Sequence, residues 1–489
     1  MVHALLQILA LRVRTATVIG MLLLSCAACG GGSGGSASAE PGRSEPSSWI
    51  LRWNTIAVDT SGFDHTAGGA REQLGPVKSS RAMAMVHVAM FDVTNAFVGR
   101  YESYLDLPPP PEGASLKAAI AQAAHDVLVA LFPSQQARLG EELAQDLSHS
   151  TDPAALEAGR SFGSAAAEEI LLVRAGDGSQ LSTDATEDAY PFSDLPGRWR
   201  RDPLNPTQRP LGSVWAQVQP FVLESPSQFR APPPPAIDSN EYAEAFAEAY
   251  RLGGDGSITP TERTEEQTTT GIFWAYDGTP SLCAPPRLYN QIARHIALQE
   301  GTTDVTELAR LFALVNIAMA DAGIASWDSK YFYDYWRPVT AIREADVGTG
   351  PTGLGDGNSL TFGDPTFTPL GAPASNLGGS NFTPPFPAYP SGHATFGGAL
   401  FQVLRTFYGT DAIAFSFVSD EFNGETTDWQ GIVRPRVERS WSSLSEAEEE
   451  NGQSRIYLGI HWRFDKTAGI DQGRNVANFV YGSILQPRQ

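Results

Sequence analysis

Cysteine is scarce in this chain of 489 residues: there are three, and two of them, Cys26 and Cys29, fall within the first thirty positions. Cys283 stands alone in the rest of the sequence, so no internal disulfide can staple the fold, and the residue reads as part of a buried core. Positive charge is also short. Against 55 acidic residues there are 34 Lys and Arg, a formal net charge of −21, which argues against nucleic acid or an anionic membrane surface as a partner. After the N-terminal segment no apolar stretch approaches the ~20 residues a membrane-spanning helix needs. Histidine is limited to eight positions. His87 and His125 lie in helical patterns and read as structural, while His65, His149 and His295 have no partner at a useful spacing. What the chain does have is 42% apolar residues over a long sequence, enough for a large core. No internal repeat is visible.

Three short stretches in the second half concentrate the remaining chemistry. The first is Lys330 with Arg337-Pro338, inside a helically patterned segment with Leu311, Leu314, Val315, Ile317 and Ala318 as its apolar positions. The spacing predicts a helix over Glu307–Trp336. Lys330 and Arg337 then share a face roughly 10 Å apart, and Pro338 ends the helix. The second stretch is Pro390-Ser391-Gly392-His393. The prolines before it enforce an extended approach, and a helix runs from Ser391 through Leu400, Val403 and Leu404 to Gly409. Ser391 and Gly392 therefore sit at a helix N-terminus, where free N–H groups and the dipole favour an anion. Ser391 is equally suited to be a simple N-cap. The third stretch is Ser454-Arg455 with His461 and Asp465. Four residues separate the last two, so the carboxylate can orient the imidazole. Arg455 is badly phased with His461 on one helix, and must reach from another side unless the helix breaks near Gly459. Together these residues supply what a tetrahedral oxyanion needs.

The set Lys330-x6-Arg337-Pro338, Pro390-Ser391-Gly392-His393 and Ser454-Arg455-x5-His461-x3-Asp465 resembles the signature shared by vanadium-dependent haloperoxidases and PAP2-type acid phosphatases. The surrounding residues resemble the fungal chloroperoxidase branch: Ala320-Asp321-Ala322-Gly323 with Trp327, Pro384 through Gly398, and Ser454 through Asp465. The likeness is strong over 287–481 and looser around Trp53-Asn54 and 80–96. It implies an all-α fold of two helical bundles with long Gly/Pro-rich loops, and vanadate as cofactor. It further implies that His461 binds the metal, that Asp465 holds that ring, and that Lys330, Arg337, Ser391, Gly392 and Arg455 contact the vanadate oxygens. His393 becomes the acid–base group, and Trp327 and Phe386 the halide pocket. The activity implied is oxidation of halide, chloride or bromide, by hydrogen peroxide to hypohalous acid, which halogenates a small organic acceptor. In the phosphatase alternative His461 attacks phosphorus and His393 protonates the leaving group.

The N-terminus reads as a targeting segment. Arg12 and Arg14 precede the apolar run 16–24, and Leu23-Leu24-Ser25-Cys26 resembles a bacterial lipoprotein processing box. The expectation is a signal peptide over 1–25, lipidation of Cys26 (Cys29 being the second choice), and a flexible Gly/Ser tether over 26–48. Export follows, either to a lipid-anchored place in the cell envelope, periplasmic or outer, or into the medium. Pro232–Pro235 is the expected boundary between an N-terminal helical domain, 49–235, and a catalytic domain, 236–489. Other predicted helices are 81–97, 115–131, 154–173, 239–252, 288–299 and 443–457. Glu446–Glu450 reads as a solvated face of the last. The stretch 344–389 is too long for an ordinary connection and is expected to shape the mouth of the site.

Overall fold

The computed structural model describes residues 45–66, 69–148 and 151–488. The signal segment, Cys26, Cys29 and His149 lie outside them. Among the described residues the elements are α1 (Pro46–Asp64), α2 (Gly75–Val98), α3 (Leu116–Leu131), α4 (Gln136–Leu147), α5 (Pro153–Val173), α6 (Asp184–Asp188) and α7 (Asn240–Gly253). They continue with α8 (Glu265–Phe273), α9 (Pro285–Gln299), α10 (Val305–Tyr333), α11 (Pro338–Arg343), α12 (Gly392–Tyr408), α13 (Leu444–Tyr457) and α14 (Arg463–Ser483). One antiparallel hairpin pairs 415–418 with 438–441. Apart from it the architecture is all-α, as expected.

Two four-helix groups organise these elements. α1, α2, α3 and α5 pack together, as do α10, α12, α13 and α14, and α2 lies against α10. A single apolar cluster runs through both groups, with Met85 and Met90 from α2, Ile120 from α3, Leu314 and Ile317 from α10, and Leu400 and Val476 beyond. A buried amide chain pins the seam. Asn54 donates to Asn290 at 2.9 Å, and Asn290 to Asn316 at 2.8 Å. His87 stands 3.0 Å from Asn54 and 2.7 Å from the Met83 carbonyl, which gives it the structural role the sequence suggested.

Local chemistry explains the helix limits. Asp304 caps α10 by accepting the N–H groups of Thr306 and Glu307. Ser391 caps α12, and Gly409 closes it in the left-handed region, as predicted. α2 begins six residues before the expected Arg81, because Pro76 in its first turn is a favourable start. α10 ends at Tyr333, not Trp336: Asp334 takes a left-handed conformation with φ +53°. Lys330 and Arg337 therefore do not share one helical face. Arg337 is extended, as its proline dictates, and caps the separate short α11.

Two further expectations change. α10 is long and apolar enough to cross a membrane by composition, and its most apolar 18 residues are all buried inside the protein. Its apolarity comes from being the central helix of a large core. The acidic run in α13 is not uniformly solvated either. Glu448 is 1% exposed and paired with both Arg405 and Arg474.

Candidate active site

The predicted residues converge at the C-terminal end of α10 and the N-terminal ends of α12 and α14. Lys330, in the last turn of α10, is fully buried and donates to the carbonyls of Pro387 at 2.9 Å, Ala388 at 3.1 Å and Pro390. Arg337 donates through Nε to the Phe386 carbonyl at 2.9 Å, and through Nη1 to the Ile460 carbonyl at 2.7 Å and His461 Nε2 at 2.9 Å. The end of the long connection, 386–390, is thus held against two buried cations.

α13 stops at Tyr457, and the chain turns at Gly459 with φ +69°. A Cβ there would lie 2.4 Å from the Gly253 carbonyl oxygen, so only glycine fits. This break lets Arg455, on α13, and His461, just ahead of α14, face one space. Asp465 lies in the first turn of α14. Its Oδ2 accepts from His461 Nδ1 at 2.8 Å and from the Trp462 N–H at 3.0 Å. That pair fixes the tautomer: the proton sits on Nδ1 and Nε2 keeps its lone pair. Ser391 caps α12 by accepting the N–H of Ala394 and gives its own N–H to the Asp465 carbonyl at 2.9 Å. The Ser454 hydroxyl instead donates to the Asn451 carbonyl at 2.6 Å, inside its helix and away from the site.

One residue escaped the sequence reading. Asp277 accepts both of its bonds from Arg455 Nη2, at 2.7 and 2.9 Å, and stands 3.9 Å from His393 Nε2. It lies 178 residues before Arg455, in a segment without periodicity, so no spacing could have announced it. His393 donates through Nε2 to the Ala275 carbonyl.

The electrostatics describe a pocket short of negative charge. Burial, then the neighbouring Arg337, drives the Lys330 ammonium well below its ordinary range. Burial lowers Arg337 to about 9. His393 and His461 are both held far below 6.5, first by burial and then by the surrounding cations, so both rings are neutral at neutral pH.

Residues 310–489 match the family model of the VCPO second helical-bundle domain. The vanadium chloroperoxidase of Curvularia inaequalis is 34% identical over 502 residues, which covers 86% of this chain and 80% of that protein. This chain belongs to the vanadium-dependent haloperoxidase family. Two solved structures share its fold. One is a bacterial vanadium-dependent iodoperoxidase, 24% identical, with a TM-score of 0.71 over 92% of this chain and 99% of that one. The other is a bacterial vanadium-dependent chloroperoxidase, 19% identical, with a TM-score of 0.62 over 84% and 92%.

The family's oxyanion fits the residues present. Among the described residues, Arg455 Nε and Nη1, and Arg337 Nη2, are buried and find no hydrogen-bond partner. Unpaired buried cationic donors are costly, and a tetrahedral anion between them and His461 satisfies several at once. Beside them opens a cavity of about 60 Å³, walled by Trp327, Phe386, Gly392, His393, Arg455 and His461 among others. Trp327 and Phe386 pack with centroids 4.9 Å apart, and Lys330 Nζ lies 5.0 Å from the Phe386 ring. The expected halide wall is thus one continuous aromatic surface against a cation.

Proposed function

We propose that this protein catalyses oxidation of halide by hydrogen peroxide to hypohalous acid, with vanadate as cofactor and chloride among its halides. The observation that carries the reading is the set of unpaired guanidinium donors around His461, whose Nε2 lone pair is free of a proton. Vanadate, when bound, supplies Lewis-acid activation of peroxide without a change in its own oxidation state.

The chain's own residues divide the remaining work. His461 Nε2 holds the metal, and Asp465 keeps the ring in the tautomer that can. Arg337, Arg455, Lys330, Ser391 and the N-terminal N–H groups of α12 neutralise the oxyanion and the charge that develops on oxygen. His393, neutral and anchored on the Ala275 carbonyl, accepts a proton from incoming peroxide. Trp327 and Phe386 receive the halide on an aromatic surface beside Lys330. One proton, one halide and one peroxide yield one hypohalous acid and one water. The product halogenates a small organic acceptor.

Phe386 and the chloroperoxidase relative support chloride as a substrate. The N-terminal pattern supports export, with Cys26 as the lipid-bearing residue. Metal-stripped protein assayed with p-nitrophenyl phosphate, and separately with peroxide and halide after addition of orthovanadate, tests the assignment. Halogenation that needs vanadate is expected. Phosphate-ester hydrolysis that vanadate inhibits, with no halide oxidation, would assign His461 to phosphoryl transfer.

A further inference from the structure

Pro384 and Pro385 line the site cavity on one side and a second, smaller cavity on the other. The second holds about 10 Å³, room for one particle of roughly the size of a water molecule. Arg337, Thr340 and Thr383 line it. These residues are 1%, 1% and 2% exposed, and Arg337 Nη2, Thr340 Oγ1 and Thr383 Oγ1 find no hydrogen-bond partner among the described residues. Three orphaned donors around one small void demand an occupant.

The charges favour an anion over water. Among the described residues no carboxylate is hydrogen-bonded to Arg337: its bonds go to two carbonyls and His461. Arg200, paired with Glu344, adds a second guanidinium to the lining, and Arg201 a third, lying 4.4 Å over the Phe192 ring. Asp202 is the one carboxylate in the lining, and its oxygens take the N–H groups of Leu204 at 2.8 Å and Thr383 at 3.3 Å. The volume excludes a four-oxygen anion. Guanidinium and hydroxyl donors without a required acceptor suit a monatomic one.

We propose that this cavity binds a single halide ion between Arg337, Thr340 and Thr383, on the opposite side of Arg337 from the oxyanion pocket. Nη2 carries two N–H bonds, so one can face each ligand. The site's purpose rests on the haloperoxidase reading: it keeps halide beside the pocket in a protein whose net charge of −21 repels halide at long range. Binding itself requires no turnover.

Vanadate-free crystals grown in sodium bromide, measured at the bromine absorption edge, test this. The wild type should show an anomalous peak within hydrogen-bond distance of Thr340 and Thr383 Oγ1, and the Thr340→Val/Thr383→Val variant should lose it. In solution, replacing gluconate by bromide at constant ionic strength should raise the wild-type Tm by mass action and raise the variant's by clearly less, the remainder being bromide held in the catalytic pocket. The variant's Tm without halide should equal or exceed the wild type's, since valine removes an unpaired hydroxyl. A water in place of the peak, or an undiminished bromide response in the variant, overturns the inference. If the variant does not fold, the wild-type crystals still decide. Halogenation assayed on the same proteins separates the two readings. Bromide bound without turnover retires the haloperoxidase assignment alone; turnover over a halide-free cavity retires this site alone.

Discussion

Asp465 reaches His461 from one turn inside α14, with Oδ2 2.8 Å from Nδ1, while its backbone carbonyl accepts the N–H of Ser391 at 2.9 Å. A single residue thus sets the imidazole tautomer and ties the start of α14 to the start of α12. Replacement of such an orienting carboxylate typically lowers metal affinity by about 10- to 100-fold. Asp465→Ala should therefore require that much more vanadate for half-saturation in a titration of metal-stripped protein. An unchanged titration would show that the carboxylate does not set the ring.

Asp277 makes a different prediction, about stability. Its side chain is 6% exposed and that of Arg455 is fully buried. Removing one partner of a buried pair leaves an uncompensated charge and costs about 3–5 kcal/mol. Asp277→Ala should lose that amount in equilibrium urea unfolding of the vanadate-free protein. A loss below about 0.5 kcal/mol is what a surface substitution gives, and would mean that Arg455 finds another anion.

Much of this site was legible because its chemistry is local. Ser391-Gly392 at a helix start and the His461–Asp465 spacing each follow from a few consecutive residues, and prolines marked the approach to the first. Arg337's extended backbone followed from Pro338 alone. The left-handed turn at Asp334 was not legible, because aspartate there is set by packing and not by obligation. Glu448 looked solvated because its partners Arg405 and Arg474 are distant in sequence. Asp277 was invisible for the same reason. The two-bundle fold came from the family resemblance together with helix count. The buried chain Asn54–Asn290–Asn316 that locks α1, α9 and α10 had no sequence signal.

His87 links pH to stability. Burial holds its pKa at about 4, against 6.5 in an unfolded chain. Above pH 6.5 both states are neutral and the folded protein keeps its full stability. As pH falls from 6.5 towards 4 the unfolded chain gains a proton that the folded ring refuses, and about 3 kcal/mol is lost. Urea unfolding of wild type and His87→Gln between pH 7 and 4 isolates this, since other groups cancel in the difference. The stability advantage of the wild type should shrink by that amount. A constant difference would mean the ring titrates alike in both states.

Gly392→Ala tests the aromatic wall. The new Cβ would lie 3.2 and 3.3 Å from ring carbons of Trp327, so that ring must shift by a few tenths of an ångström against Phe386. Alanine is a better helix former than glycine, so stability should hold. kcat/KM for halide should fall about tenfold, the effect of roughly 1.4 kcal/mol at the transition state. Equal kcat/KM in steady-state halogenation would show that the Trp327–Phe386 contact is not part of halide handling.

The most direct measurement is halogenation of monochlorodimedone by metal-stripped protein, with peroxide and chloride or bromide, as orthovanadate is titrated in. No activity is expected at the start, then a rise that saturates at one vanadate per chain, and loss of that rise in His461→Ala. Activity independent of vanadate, no activity at any vanadate concentration, or an undiminished rise in His461→Ala would contradict the proposed function.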